Sequence, residues 1–134
     1  METIFDKIIR KEIPAEILYE DDHVIVFLDI FPTNPGHTLF VPKESCENMM
    51  CTSDQALAHL FSVAKKLAPA ILQTVGARDF NFITNNGTVA GQVIMKTHFH
   101  FIPRFENDGH KMWGHVTASP EELAELRKNI QSKM

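Results

Sequence analysis

The chain has 134 residues, 44% of them hydrophobic and 22% charged, and carries a net charge of −4. That length suits one domain that buries roughly 65–70% of its unfolded surface, with no staple needed to complete a core. Acidic balance and the lack of any long Lys/Arg run exclude a broad DNA or RNA footprint, and no apolar run reaches the roughly 20 residues of a membrane helix.

Thr3 with Asp6 reads as a capping box, and Ile4, Phe5, Ile8 and Ile9 recur at helical spacing. A short helix over about residues 4–11 is expected, closed by Ile13-Pro14. Glu16–Tyr19 and His23–Leu28 are β-prone runs parted by Asp21-Asp22, a hairpin pattern. Phe31-Pro32-Thr33-Asn34-Pro35-Gly36 is turn chemistry, after which His37–Val41 reads as a third strand ended by Pro42.

Thr52 and Gln55 suggest a second capping box, opening a long helix. Its stripe is Leu57, Leu60, Phe61, Ala64, Leu67, Ala68, Ile71, Leu72 and Val75, with Gly76 as the stop. Pro69 lies inside and predicts a kink or local irregularity. Phe80–Thr84 and Val93–Ile102 are the fourth and fifth strands, and Ser119-Pro120 caps a last helix bearing Leu123, Leu126 and Ile130. The order α-β-β-β-α-β-β-α with hairpin-like connections predicts an antiparallel α+β domain.

Cys46 and Cys51, in an acidic chain whose start shows no secretory pattern, read as reduced thiols in a cytoplasmic protein, or a cytoplasmic and nuclear one in a eukaryotic cell. The richest segment runs from Gln92 to Arg104. In an extended strand Lys96, His98 and His100 share one face and Thr97, Phe99 and Phe101 the other. Upstream, Asn85-Asn86-Gly87-Thr88-Val89-Ala90-Gly91 is a small-residue loop able to offer backbone N–H groups to an anion. A His-x-His pair alone serves equally as a buried hydrogen-bonded pair, or as two zinc ligands with His37 as the third.

The segment Gly91-Gln92…His98-Phe99-His100-Phe101-Ile102 resembles the His-φ-His-φ-His-φ-φ signature of the histidine triad (HIT) family. Ile4 through Ala15, Glu20-Asp21-Asp22, Phe27-Leu28-Asp29-Ile30 and Pro35 through Lys43 are similar to its nucleotide-binding Hint branch, so the likeness covers residues 4 to about 104 in order. It implies a single HIT domain over 1–134, a five-stranded antiparallel sheet with one long and several short helices, and a two-fold homodimer through the long helix and the fifth-strand edge. It also implies hydrolysis of a purine nucleotide, as an AMP phosphoramidase acting through a covalent adduct on His98, with no cofactor and no metal. Dinucleoside polyphosphate hydrolysis and low-turnover nucleotide binding are the alternatives.

Residue by residue, the resemblance assigns His98 as nucleophile, His100 to orienting the site or binding a phosphate oxygen, and His37 to the phosphoryl oxygens or leaving group. It assigns Asp29 to the ribose and Asn85, Gly91, Gln92 and Val93 to the phosphate side. Ile4, Phe5, Ile8, Ile13, Leu28 and Ile30 would form an apolar slot for the purine. Lys96 stands where the family's first histidine would be, read either as a solvated strand-end residue or as a cation near phosphate. His23, His59, His110 and His115 read as surface or helix histidines, and Trp113 as a residue that reaches across a dimer. An N-terminal Cys-x-x-Cys, which holds structural zinc in some bacterial relatives, is replaced here by Ile4-Phe5.

Overall fold

A computed structural model describes residues 1–134. Helix α1 (Ile4–Ile9) is followed by strands β1 (Ile17–Glu20), β2 (Val24–Leu28) and β3 (Thr38–Pro42), the long helix α2 (Asp54–Val75), β4 (Asp79–Ile83), a single 3-10 turn at Thr88–Ala90, β5 (Phe99–Arg104) and α3 (Pro120–Gln131). The five strands form one antiparallel sheet in the order β1-β2-β3-β5-β4. Element order and fold class are those read from the sequence. No helix is long and apolar enough to cross a membrane.

Several boundaries move. Helix α1 stops at Ile9, and Lys11 turns to φ 63°. The α2 cap is Ser53, whose Oγ accepts the Ala56 N–H at 3.1 Å. Thr52 is buried one residue earlier, its hydroxyl donating to Asn48 O and sitting 2.7 Å from Thr97 Oγ1. Pro42 is the last residue of β3, opposite Val24 at a strand end where its missing N–H costs little. Helix α2 runs unbroken through Pro69, which lies on its exposed side.

Two clusters cover the two faces of the sheet. On one, α2 packs Leu60, Val63, Ala64, Ala68 and Ile71 against Val24, Val26, Phe40, Phe99 and Phe101. On the other, Phe5 and Ile8 of α1 pack on Ile25, Phe27, Leu39 and Val41. The central strands β2 and β3 are therefore apolar on both faces, and β5 alternates, with Phe99 and Phe101 on the α2 side. The Leu123, Leu126 and Ile130 positions of α3 remain about half exposed.

Two expectations are corrected here. The fifth strand is interior, hydrogen-bonded to β3 and β4, so the free edges are β1 and, on the side of β5, β4. Cys46 and Cys51 are paired as a disulfide, not held as free thiols. Turns between Lys43 and Ser53 bring their Cα atoms to 5.8 Å, within reach of the bond.

The Pro35-Gly36 turn that delivers His37 depends on glycine. Gly36 has φ +87°, and a Cβ there would lie 3.0 Å from Val75 Cγ1 and 3.1 Å from Pro103 Cγ. Gly36→Ala is expected to destabilise the fold by about 1–2 kcal/mol from the left-handed backbone alone, measured as a lowered urea midpoint with unchanged slope.

Candidate active site

The site lies on the α1 side of the sheet. A cavity of about 490 Å³ opens there, walled by Ile4, Phe5, Ile8 and Ile13, by Leu28 through Phe31, and by Asn85, Gly91, Val93 and Ile94 around His98 and His100. Its size is that of a small-molecule pocket. Twelve of eighteen lining residues are hydrophobic, and no Lys or Arg is among them. The six apolar residues singled out in the sequence all line this one cavity, Ile4 and Ile30 as rim residues, 48% and 77% exposed. Phe31, 84% exposed, was missed in the sequence because it sits in turn chemistry; an aromatic stranded there was the available signal.

His98 precedes β5 instead of lying within it, since residues 92–98 are not paired as strand. Their backbone is held from outside the sheet: the Thr97 N–H donates to Cys46 O at 2.9 Å, and His98 O accepts from Thr84 Oγ1 at 2.7 Å. His98 is 6% exposed, with Phe5 edge-on at 5.0 Å between ring centroids. Its Nδ1 lies 2.6 Å from Lys96 O. A carbonyl only accepts, so the neutral ring carries its proton on Nδ1 and keeps the Nε2 lone pair unshared.

The other two rings are ordered by the same logic. The Thr33 N–H donates to His37 Nδ1 at 2.9 Å, which places the His37 proton on Nε2. His37 Nε2 then donates to His100 Nδ1 at 2.9 Å, so His100 carries its own proton on Nε2. Burial pushes His98 and His37 below the ordinary histidine range, against the opposing pull of the Lys96 carbonyl on His98 and of Asp29 on both. Burial, with His98 and His37 as neighbours, lowers His100 to about 4. All three rings are neutral near pH 7.

Asp29 lines the cavity, its Oδ1 accepting from the Phe31 N–H at 2.9 Å and its Oδ2 lying 3.5 Å from His37 Nε2. Asn85 and Gly91 also line it; Gly91 has φ +94°, and a Cβ there would sit 3.5 Å from Asn85 Nδ2. Val93, 82% exposed, borders the mouth.

Three expected contacts are corrected. Gln92 is 3% exposed and points into the loop: Oε1 accepts from the Gly87 N–H at 2.8 Å, and Nε2 donates to the Ile94 and Glu47 carbonyls. Its backbone N–H closes on Gly87 O, so neither group is available to a phosphate. His37 stands behind His100 with both ring nitrogens engaged and does not line the cavity, which it neighbours through His100 and, at 3.5 Å, Asp29. Lys96 is neither solvated nor at the cavity: it is 2% exposed, with Nζ 3.0 Å from Glu44 O and 3.3 Å from Asp6 Oδ1.

Asp29, His37 and His100 bring one donor atom each within 4.8 Å, a grouping a cation can approach. His37 fits that role badly. With Nδ1 accepting from Thr33, ligation through Nε2 requires either an imidazolate or loss of the Thr33 bond.

A family model for the HIT domain matches residues 10–107. An uncharacterized HIT-like protein of Methanocaldococcus jannaschii is 48% identical over 106 residues, covering 79% of this chain and 81% of its own length. The adenosine 5′-monophosphoramidase of Schizosaccharomyces pombe is 37% identical over 137 residues, covering 100% of this chain and 99% of its own. The crystal structure of a HIT family protein from Bacillus subtilis superposes with a TM-score of 0.91 at 35% identity, covering 100% of this chain and 98% of that one.

The lowered histidines have a stability signature. Between about pH 6.5 and 4 the unfolded chain binds a proton at His100 that the folded chain refuses, so stability falls as pH falls through that window. Urea midpoints measured from pH 7 to 4 are expected to decline more steeply in wild type than in His100→Asn.

Proposed function

The chain belongs to the HIT-domain family, and on that premise we propose that it is a nucleotide-binding hydrolase, specifically a purine nucleoside phosphoramidase that cleaves an AMP–N bond through a His98–AMP adduct. The observation that carries the reading is the unshared Nε2 of His98 beside the 490 Å³ cavity, with Nδ1–H anchored on Lys96 O.

In this mechanism the purine enters between α1 and the β2 end, and Asp29 accepts the ribose hydroxyls. Nε2 of His98 attacks the α-phosphorus, forming an N–P bond as the P–N bond of the substrate breaks. The departing nitrogen keeps that electron pair and takes a proton from solvent at the open rim. The positive charge arising on the His98 ring is met by its Nδ1–H bond to Lys96 O, which strengthens as the ring becomes cationic. His100 Nε2–H supplies a fixed donor for a phosphoryl oxygen, a preorganised form of charge stabilisation. Water then attacks phosphorus, the pair returns to Nε2, and the water proton goes to solvent.

The lining also discriminates among substrates. A dinucleoside polyphosphate brings several negative charges, and the cavity offers them no Lys or Arg. A phosphoramidate with a neutral leaving amine presents only one phosphate charge and suits the apolar rim of Ile30, Phe31 and Val93. We place the contact with a second copy on the α2–β4 side, where a groove of about 510 Å³ lies between Phe61, Ala68, Phe80 and Phe82.

Wild type is expected to hydrolyse adenosine 5′-phosphoramidate, and to do so faster than a diadenosine polyphosphate. His98→Ala should lower kcat by roughly 10⁴-fold or more while retaining AMP binding, and radiolabelled substrate should leave an acid-labile AMP on wild type alone. Equal turnover by His98→Ala overturns the nucleophile assignment; binding without turnover in both proteins favours a regulatory nucleotide-binding role.

A further inference from the structure

Lys96 is the one Lys, Arg, Asp or Glu among the fully buried residues. Burying an ammonium is costly unless it is paired and hydrogen-bonded. Its two partners come from different parts of the chain. Asp6 belongs to the first turn of α1, where its Oδ2 also accepts from Thr3 N at 2.7 Å and Thr3 Oγ1 at 2.9 Å, completing the capping box. Glu44 offers its backbone carbonyl, while its carboxylate accepts from Ser53 N and Oγ, both at 2.7 Å, at the start of α2. The Lys96 side chain therefore joins the helix that walls the cavity to the loop that precedes α2.

The backbone of the same residue carries the His98 acceptor. Lys96 O fixes the His98 proton at 2.6 Å, and α1 presses Phe5 edge-on against the His98 ring. With residues 92–98 outside the sheet, no strand pairing holds that carbonyl. The contacts that do hold it are the Lys96 side chain and the neighbouring Thr97 and His98 backbone bonds.

We propose that Lys96 is a positioning residue: its buried ammonium, clamped between Asp6 and Glu44 O, holds Lys96 O in line with His98 Nδ1 and keeps α1 closed on the imidazole. It acts through His98 and does not touch the substrate. The proposal rests on the reading of His98 as nucleophile, and its test separates the two.

The test is Lys96→Met, with Lys96→Gln as a milder variant that keeps one donor and Lys96→Arg as the conservative rescue. Ring nitrogen-15 shifts of His98 report which nitrogen is protonated, and steady-state hydrolysis of adenosine 5′-phosphoramidate reports kcat and KM. In wild type the His98 proton sits on Nδ1. Lys96→Met is expected to move His98 toward a mixture of tautomers and to lower kcat by about 10- to 10²-fold, the scale of a misplaced reacting group, with KM changing far less. Lys96→Gln should shift both readouts in the same direction by less, and Lys96→Arg should restore both in part. If Lys96→Met does not fold, Lys96→Gln is read by the same criteria. An unchanged His98 tautomer in the folded variants overturns the proposal whatever happens to kcat, and so does a shifted tautomer with kcat intact. If wild type shows no turnover, the phosphoramidase reading fails, and the tautomer measurement alone decides the role of Lys96.

Discussion

The hydrogen bond from His98 Nδ1 to Lys96 O is the contact around which the site is organised. At 2.6 Å it decides which imidazole nitrogen has a free lone pair, and it does so without a carboxylate partner for His98. A carbonyl can receive a ring proton but never remove it, so the ring is oriented and tautomerically fixed while remaining neutral. The relay from Thr33 through His37 to His100 uses the same device, with a backbone N–H at its origin in place of a carbonyl. Two rings are thereby given opposite polarity: one presents a lone pair to the cavity side and the other a donor. That asymmetry is what the proposed mechanism asks of its attacking nitrogen and of the donor to its phosphoryl oxygen.

The fold exists to hold those two backbone groups still. Thr33 lies in the turn before β3 and Lys96 in the irregular run before β5, and neither segment has ladder bonds of its own. Each is fastened from the side. Asn34 Nδ2 donates to Pro103 O at 2.9 Å, and Thr97, Gln92 and Lys96 all reach the 44–47 loop. Those tethers are polar and buried, which makes them costly to break one at a time. The two apolar clusters on either side of the sheet supply the rigidity against which these tethers act.

Periodicity made most of the fold legible. The 3.6-residue stripe of α2 and the β-prone runs of β2 and β3 are long-range patterns that a local shift cannot erase, and they located those three elements to within about two residues. What the strand reading misjudged was residues 93–98, where the apolar Val93-Ile94-Met95 and the polar Lys96-Thr97-His98 lead into β5 without pairing in the sheet. Just before this run Gln92 folds its amide inward, and within it Lys96 finds Asp6, ninety residues earlier in the chain. Such partners leave no local trace. The same holds for His37, whose place behind His100 depends on strand order, and for the Cys46–Cys51 pairing, which a turn creates and composition cannot show. The α1 part of the cavity wall was legible as one face of an amphipathic helix, with Phe5 and Ile8 inward and Ile4 left at the rim.

The absence of basic side chains around the mouth has a kinetic corollary. An anion drifting toward this net-acidic chain meets no basic lining to guide it, so its capture would run at or below the unsteered pace of about 10⁵–10⁶ M⁻¹s⁻¹, and added salt, by screening the repulsion, would speed it and not slow it. Discrimination among visitors then resides in how long each one stays, through shape and desolvation within the apolar walls, and hardly at all in how often it arrives.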